Sequence, residues 1–285
     1  MRTTSPRIAI KPTPAAPIVK WAGGKGRLVP QLRALLPAGV ERMRHLEPFA
    51  GGAALFFAQA PDRALLCDCN PDLIALYRTV RDTLPALLRH LQALALAHDR
   101  THYYAIRKAY NARQHTSTAQ RAAWFLYLNK TCFNGLHRVN RRGEFNVPMG
   151  RYENPRILDA EALTTASTAL QHADLRCGDF ATTLRLARPG DFVYLDPPYD
   201  PASRTANFTA YAKGGFGMTD QVRLSRVFAE LARRGCYVML SSSDTTAVRQ
   251  LYAGYPITKV TARRAISCNA DDRGSVTELV IRNFS

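Results

Sequence analysis

The sequence predicts an α/β fold in which a block of helices interrupts an open, largely parallel sheet. Residues 45–56 contain a short apolar run, a glycine turn and a helix start, which is the β-turn-α unit of a Rossmann-like sheet. A second apolar run, 193–195, is followed by an aspartate and two prolines. Because proline neither continues a strand ladder nor starts a helix there, we expect the strand to end at this aspartate. Between the two, residues 72–130 have helical periodicity alone, which indicates an inserted lobe.

Length and charge narrow the class of protein. The chain of 285 residues can bury a substantial core and is near the size at which two lobes form. Its 39 basic and 22 acidic residues give a net charge of +17, which favours a polyanionic partner, although a merely basic surface is the alternative.

The six cysteines contain no C-x-x-C pair, so no zinc site, other metal site or disulfide framework is predicted. No segment has the length and apolarity of a membrane span, and we expect a cytoplasmic, monomeric protein.

The N-terminal region divides into a leader and a glycine-rich turn. Residues 1–17 carry four prolines and several basic residues without hydrophobic periodicity, which predicts a disordered basic leader. Residues 20–26, Lys-Trp-Ala-Gly-Gly-Lys-Gly, are predicted to open a helix that runs to about Leu36. Glycines before a helix let backbone N–H groups approach a ligand, and Lys25 adds a donor.

Two further strands are predicted to end in carboxylates. Residues 64–68 end at Asp68, about one β-α unit after the glycine turn, where a carboxylate can bind both hydroxyls of a ribose. A helix N-cap within residues 68–71 is the alternative. Residues 174–180 predict a strand and turn in which the Asp179 carboxylate and the Phe180 ring could bracket a bound adenine.

A basic hairpin is predicted to close the helical block. Arg142-Gly143-Glu144 is typical of a hairpin tip. Basic, amide and aromatic side chains alternate around it, as in nucleic-acid interfaces, where arginine binds guanine or phosphate, asparagine binds adenine and aromatic rings stack or wedge. A charged surface hairpin is the alternative. The candidate contact residues are Phe133, Asn134, Leu136, Arg138, Asn140, Arg142, Asn146, Pro148, Arg151 and Tyr152.

The segment Asp196-Pro197-Pro198-Tyr199 follows the 193–195 strand, at the sheet edge where open α/β sheets bind ligands. An exocyclic amino group on a nucleobase is a poor nucleophile. The Asp196 carboxylate and the Pro197 carbonyl could accept its two N–H bonds, and Tyr199 could stack on the base. An ordinary Asp-Pro turn is the alternative.

The remaining chain is predicted to complete the sheet. Residues 206–211 are expected on a loop that ends in glycines and acts as a lid over an extruded base. The elements that follow are a helix at 219–233, a strand at 237–240, a helix near 245–252, and strands near 257–261 and 276–282.

Several of these motifs resemble those of amino-group DNA methyltransferases. Asp196–Tyr199 resembles their catalytic motif, in which a leading aspartate indicates adenine N6, whereas serine is more usual in cytosine-N4 enzymes. Residues 20–25 resemble the S-adenosylmethionine motif, and residues 47–53 resemble the Glu-Pro-Phe-x-Gly-x-Gly turn, with Ala53 in place of its second glycine. Residues 134–152 are similar to the recognition hairpin of the DNA adenine methyltransferase (Dam) family, and residues 263–267 resemble its C-terminal segment.

The resemblance runs from Lys20 to the C-terminus in the family's order, and it implies a site-specific DNA adenine-N6 methyltransferase. The implied fold is a seven-stranded Rossmann-like methyltransferase sheet, with 18–70 and 159–285 as catalytic domain and 71–158 as an inserted helical target-recognition domain with a β-hairpin. The implied catalytic residues are Asp196, Pro197 and Tyr199. Those implied to bind S-adenosylmethionine are Trp21, Lys25, Glu47, Phe49, Gly51, Asp68, Asp179, Phe180 and Asp196.

The resemblance also implies double-stranded DNA as partner, extrusion of the target adenine and direct methyl transfer. Relatives that match the hairpin read GATC, with Arg138 on an outer guanine, Leu136 and Pro148 beside the thymine methyl, and Lys20 at the first base pair. An enzyme acting on cytosine N4 or on RNA adenine, and a DNA-binding regulator without turnover, are the two alternatives.

Overall fold

The structure is a computed structural model that describes residues 13–199, 216–263 and 275–285. Three predicted features lie wholly or mostly outside those ranges: the leader up to residue 12, the lid at 206–211 and residues 264–267 of the C-terminal segment. The described end of the leader has no regular secondary structure, but the Ala15 N–H donates to the Phe57 carbonyl at 2.9 Å. The chain is therefore tied to the fold from Ala15 onward.

A seven-stranded sheet forms the centre of the molecule, as predicted. Its order is β3-β2-β1-β4-β5-β7-β6, and every pairing is parallel except those of β7, which runs antiparallel to both its neighbours. The direction of winding reverses between β1 and β4, which creates the crevice where such sheets bind ligands. The strands are β1 His45–Glu47, β2 Ala64–Asp68, β3 Ala173–Cys177, β4 Phe192–Leu195, β5 Tyr237–Ser243, β6 Ile257–Arg263 and β7 Ser275–Arg282.

Helices cover both faces of the sheet and fill the stretch between β2 and β3. They are α1 Val29–Arg33, α2 Ala54–Gln59, α3 Pro71–Asp82, α4 Leu84–Leu96, α5 Arg100–Asn111, α6 Thr118–Thr131, α7 Ala160–Leu170, α8 Thr183–Leu186, α9 Met218–Arg233 and α10 Thr246–Leu251. None of those in the described ranges has the length and apolarity needed to cross a membrane.

The first helix corrects the sequence prediction. Instead of a helix from the glycine turn to Leu36, α1 spans only Val29–Arg33. Pro30 stands in its first turn, where proline is tolerated, and Pro37 disfavours helical geometry at the residue before it. The glycine turn is therefore separate from the helix. In contrast, α7 was not predicted, although Asp159 caps it by accepting the Ala162 N–H at 3.2 Å.

The block α3–α6 packs on the sheet rather than apart from it. Leu87 of α4 and Tyr103 of α5 belong to one buried cluster with Leu66 of β2 and Leu175 of β3. A continuous apolar core fixes the block relative to the sheet edge. The division of the chain into a catalytic and a recognition domain remains a prediction.

One ion pair joins three of these helices. Arg121 of α6 binds both carboxylate oxygens of Asp72 in α3, at 2.6 and 2.8 Å, and the Tyr110 hydroxyl of α5 donates to the same carboxylate at 2.6 Å. Burial raises the pKa of Asp72, but the hydrogen bonds from Arg121 and Tyr110 outweigh it and hold this pKa below its ordinary value. The carboxylate therefore stabilises the folded state at neutral pH.

Asp72→Asn is expected to lower the free energy of unfolding by about 3 kcal/mol, because it leaves a largely buried guanidinium without its charged partner. The loss should be full near neutral pH and should disappear as pH falls below the ordinary carboxyl pKa, since the Asp72 pKa is depressed in the folded state. Urea denaturation measures it. Arg156→Ala, which removes an exposed pair with Asp159, is the control, and an equally small effect of both changes would contradict the prediction.

Candidate active site and nucleic-acid interface

A cavity of about 460 Å³ lies at the carboxyl ends of β1, β2 and β4. It is the crevice that the change of winding direction creates. All residues proposed from sequence for cofactor binding and catalysis line it, although they come from five separate stretches of chain. They are Trp21, Lys25, Glu47, Phe49, Gly51, Asp68, Asp179, Phe180, Asp196, Pro197 and Tyr199.

The turn after β1 forms the floor of the cavity. The buried Glu47 accepts the Phe56 N–H at 2.8 Å and contacts His45 Nε2 at 2.8 Å through the same oxygen, which fixes the start of α2. Gly51 has φ of 47°, and a Cβ there would lie 2.8 Å from Trp21 Cδ1. The close contact between the turn and the Trp21 ring therefore requires glycine at this position.

Asn70, and not Asp68, caps the helix that follows β2, while ribose binding by Asp68 stays a prediction. Asn70 is the N-cap of α3 and accepts the Asp72 and Leu73 N–H groups. Asp68 lines the cavity, and its carboxylate accepts the Gly51 N–H and the Asn70 N–H at 2.9 Å each. Burial raises the pKa of Asp68. The capping role thus belongs to Asn70, and Asp68 holds the glycine turn in place at the cavity wall.

The Asp179–Phe180 wall has a partner that the sequence did not reveal. Arg223 of α9 forms an ion pair with Asp179, and its guanidinium lies 4.3 Å from the centroid of the Phe180 ring. The Phe49 ring stacks on Phe180 with centroids 5.1 Å apart. Phe49, Phe180 and Arg223 therefore form one contiguous cluster of two aromatic rings and a guanidinium at this wall.

A buried ammonium organises the Asp196 end of the cavity. Lys25 is 3% exposed, and its Nζ lies 2.8 Å from Asp196 Oδ1 and donates to the Gly23 carbonyl at 2.5 Å. The Tyr199 ring centroid is 4.4 Å from the same nitrogen. Burial raises the pKa of Asp196 to about 6, against the opposing effect of Lys25. The carboxylate is therefore ionised at neutral pH and is a stronger hydrogen-bond acceptor than an ordinary aspartate.

Glu278 on β7 also reaches this corner, and no motif pointed to it. Its Oε2 accepts the Tyr199 hydroxyl at 2.5 Å and lies 3.8 Å from Lys25 Nζ. It is separated from Tyr199 by 79 positions, so its presence depends on the antiparallel placement of β7. No short-range sequence pattern could have revealed it.

The structure contains the predicted hairpin. Some of its side chains stabilise the turn, and others are exposed to solvent. Val139 and Phe145 form its antiparallel bridge. Asn140 stabilises the turn, because its Oδ1 accepts the Arg142 and Glu144 N–H groups at 2.9 and 3.0 Å. The exposed positions among the predicted contacts are Phe133, Arg142, Pro148, Arg151 and Tyr152, and the half-buried ones are Lys20, Asn134, Leu136, Arg138, Asn140 and Asn146.

Arg138 is held by a neighbour. Its Nε donates to Asn146 Oδ1 at 2.9 Å, and the Asn146 N–H donates back to the Arg138 carbonyl at 3.2 Å. A bond through Nε fixes the plane of the guanidinium. Asn146 is therefore placed to orient Arg138.

The hairpin contacts the cavity wall through one histidine. His137 is 9% exposed, and its ring stacks on Trp21 with centroids 5.5 Å apart and planes at 20°. Burial lowers the pKa of His137 to about 4, so the ring is neutral at physiological pH. Trp21 thus touches the glycine turn on one side and the hairpin on the other, a contact that the sequence did not indicate.

The described ranges contain no cluster of His, Cys, Asp or Glu that could hold a metal ion. Their five cysteines are all free thiols.

Comparison with known proteins identifies the family. Residues 21–266 match the family described as D12 class N6 adenine-specific DNA methyltransferase. The chain is 39% identical over 273 residues to a type II methyltransferase, M1.LlaDCHI, of Lactococcus lactis subsp. cremoris, covering 94% of this chain and 95% of that one. It is 38% identical to the type II methyltransferase M.MjaIII of Methanocaldococcus jannaschii, over 94% and 99% of the two chains. It is also 38% identical to a DNA adenine methylase of Vibrio cholerae, over 92% and 94%.

The family match begins at the Trp21 turn and covers the cavity, the hairpin and the Asp196 loop. These are the features that the fold brings together at one sheet edge. The chain therefore belongs to the D12 class of N6 adenine-specific DNA methyltransferases.

Proposed function

We propose that this enzyme takes the methyl group from S-adenosylmethionine, extrudes the target adenine from double-stranded DNA and methylates it at N6 within GATC. The observation that carries the proposal is the position of Asp196. Its carboxylate lies in the wall of the cavity, paired with the buried Lys25 at 2.8 Å. The enzyme acts as a monomer in this proposal.

The cavity fits the methyl donor. Its wall contains Glu47, Asp68 and Asp179, whereas the chain as a whole carries a net charge of +17. A concentration of carboxylates suits a cationic sulfonium compound with an ammonium group and ribose hydroxyls. The Phe49 and Phe180 rings offer a flat apolar surface for its adenine. When bound, the cofactor supplies an activated methyl group.

Asp196 and Pro197 supply the acceptors for the target amino group. One Asp196 oxygen is paired with Lys25, while the side chain remains 20% exposed and lines the cavity. Hydrogen bonds from the two N6 hydrogens to the carboxylate and to the Pro197 carbonyl draw the nitrogen toward a tetrahedral form with a localised lone pair. This stabilisation acts mainly in the transition state, which is where it accelerates methyl transfer.

The adenine must leave the duplex to reach this site, at a cost of a few kcal/mol. The Tyr199 ring, held beside Lys25, provides a surface on which the extruded base stacks. N6 accepts the methyl group directly as the bond between the methyl carbon and the donor sulfur breaks, which leaves a neutral thioether, and N6 then releases one proton to solvent. No covalent bond forms between enzyme and DNA, so no cysteine nucleophile is required.

The basic hairpin supplies the DNA-binding face. Phe133 is 43% exposed, as a ring that wedges between bases must be. The exposed Arg142 at the tip can contact phosphate, and the Asn146-held Arg138 can present a fixed donor edge to guanine. Residues 71–158 form the target-recognition region in this proposal.

Asp196→Ala is expected to lower the single-turnover methylation rate by about a thousandfold, because the lost acceptor acts in the transition state. S-adenosylmethionine and DNA should still bind, with reduced affinity, as measured by calorimetry. Asp174→Ala, which removes an exposed carboxylate from β3, is the matched control and should retain the normal rate. A near-normal rate in Asp196→Ala would show that another group performs the chemistry.

Asp68→Ala and Trp21→Ala are each expected to raise the dissociation constant for S-adenosylmethionine about tenfold or more, since both shape the glycine turn at the cavity floor. Their affinity for duplex DNA should change little. Calorimetric titration measures the first and fluorescence anisotropy the second. Asp62→Ala, at an exposed position before β2, is the control, and unchanged cofactor affinity in both variants would remove these residues from the site.

Arg138→Ala should lose about 1 to 3 kcal/mol of discrimination at the outer base pair of GATC, because a base contact carries sequence information. Arg142→Ala should instead slow methylation of all sequences alike and flatten the salt dependence, as expected for a phosphate contact. The measurement is the methylation rate on GATC and on each singly substituted site, at two salt concentrations. Equal slowing of Arg138→Ala on every site would show that this arginine holds the backbone.

A further inference from the structure

Glu278 is brought to the active site by the one antiparallel strand of the described sheet. It is the fourth residue of β7 and pairs in register with Ser243, the last residue of β5. Because β7 runs opposite to its neighbours, its beginning lies at the sheet edge where β4 and β5 end. The Glu278 side chain is 12% exposed there, so its carboxylate needs partners within the protein.

The partners of the Glu278 carboxylate are the side chains of Tyr199 and Lys25. The Tyr199 hydroxyl donates to Glu278 Oε2 at 2.5 Å, and Lys25 Nζ lies 3.8 Å from the same oxygen. The same ammonium is 2.8 Å from Asp196 and 4.4 Å from the Tyr199 ring centroid. One cation thus lies between two carboxylates and against the ring.

We propose that Glu278 is a positioning residue of the methyl-transfer site, which anchors the Tyr199 ring through its hydroxyl and places a second negative charge beside the Lys25–Asp196 pair. This inference rests on the proposed function. It gives Glu278 no contact with substrate or cofactor; its influence passes through Tyr199 and Lys25.

The loop sequence explains why the Tyr199 ring needs to be anchored. Pro197 and Pro198 fix the backbone, but the Tyr199 ring could still rotate about its side-chain bonds. A hydrogen bond from its hydroxyl to a carboxylate is of the stronger, charge-assisted kind. A ring held before the base arrives loses less conformational entropy when the base stacks on it.

The second effect of Glu278 is electrostatic and concerns the pKa of Asp196, which depends on all the groups that face this carboxyl. Within the described residues these are Lys25, Glu47 of β1, Glu278 of β7 and the hydroxyls of Tyr194 and Tyr199. Lys25 favours the ionised carboxylate, while burial and the two glutamates oppose ionisation and leave the Asp196 pKa at about 6. A carboxylate of higher pKa is a stronger acceptor for the N6 hydrogens, so the charge of Glu278 favours transfer at neutral pH.

Glu278→Gln separates the two effects. Its amide oxygen still accepts the Tyr199 hydroxyl, whereas the negative charge is lost. Removing a like charge lowers the Asp196 pKa, so the titration midpoint should move down by about one pH unit. The rising limb of the pH–rate profile should move down by the same amount, since Asp196 must be ionised to accept. A residue that only supported the fold would not shift this limb.

The experiment uses the full chain and two readouts. Carboxyl ¹³C NMR follows the Asp196 titration in the free protein, with Asp196→Asn to assign the signal, and single-turnover methylation of a GATC duplex gives the pH–rate profile. Thermal unfolding checks that each variant is folded. The variants are Glu278→Gln, Glu278→Ala, Tyr199→Phe and the Glu278→Ala/Tyr199→Phe double variant.

Glu278→Gln and Glu278→Ala should both lower the Asp196 midpoint, and Tyr199→Phe should not. Glu278→Ala and Tyr199→Phe should each raise KM for duplex DNA several-fold, and the double variant should be no worse than the more affected single variant, because both remove the same hydrogen bond. A midpoint in Glu278→Gln equal to that of the wild type, or fully additive effects on KM, would overturn the proposal. If the wild-type enzyme transferred no methyl group to adenine in duplex DNA, the proposed function would fail, while the NMR midpoints would still test the coupling of Glu278 to Asp196.

Discussion

The buried ion pair between Lys25 and Asp196 holds the glycine-rich turn at residues 20–26 against the loop that follows β4. A lysine that is 3% exposed is stable as a cation only if its lost hydration is replaced. Asp196 replaces part of it, and the Gly23 carbonyl, which accepts from Lys25 at 2.5 Å, replaces another part. The glycine turn, the end of β4 and, through Glu278, the start of β7 are thus fixed around one ammonium group. Loss of Asp196 would leave this buried ammonium without its close ionic partner.

Hydrogen bonds also connect the segment at residues 20–26 to helix α6 of the helical block. Asn129 of α6 accepts the Lys20 N–H at 2.8 Å and donates to the Lys20 carbonyl at 2.7 Å. A Cβ on Gly135 would lie 2.3 Å from the Lys20 side chain, so the start of the hairpin can approach only as glycine. The next residue, Trp21, contacts both the cavity floor and His137 of the hairpin. Two consecutive residues, Lys20 and Trp21, therefore connect the hairpin and the helical block to the cavity.

The sequence could reveal those parts of the site that local chain geometry determines. Strand ends such as Asp68 and Asp196 are set by apolar runs and prolines, and the glycine turn at Gly51 is set by its left-handed φ of 47°. Glu278, Arg223 and His137 reach the site only through tertiary placement, and nothing beside them in the chain marks their role. Asn140 has a structural role that the sequence did not indicate, because its side chain closes the hairpin turn, while its contact with DNA stays a prediction.

The net charge of the chain and the charge of the cavity lining have opposite signs, and each suits a different ligand. The chain carries 17 more positive than negative residues, whereas Glu47, Asp68, Asp179 and Asp196 all line one cavity. A positive exterior draws in a polyanionic duplex over the distance that salt screening allows, and the acidic cavity favours a cationic ligand. In the proposed reaction, transfer of the methyl group removes the positive charge on sulfur. The carboxylate wall then holds the product less strongly than the donor, so the electrostatics that favour binding before the transfer also favour release after it.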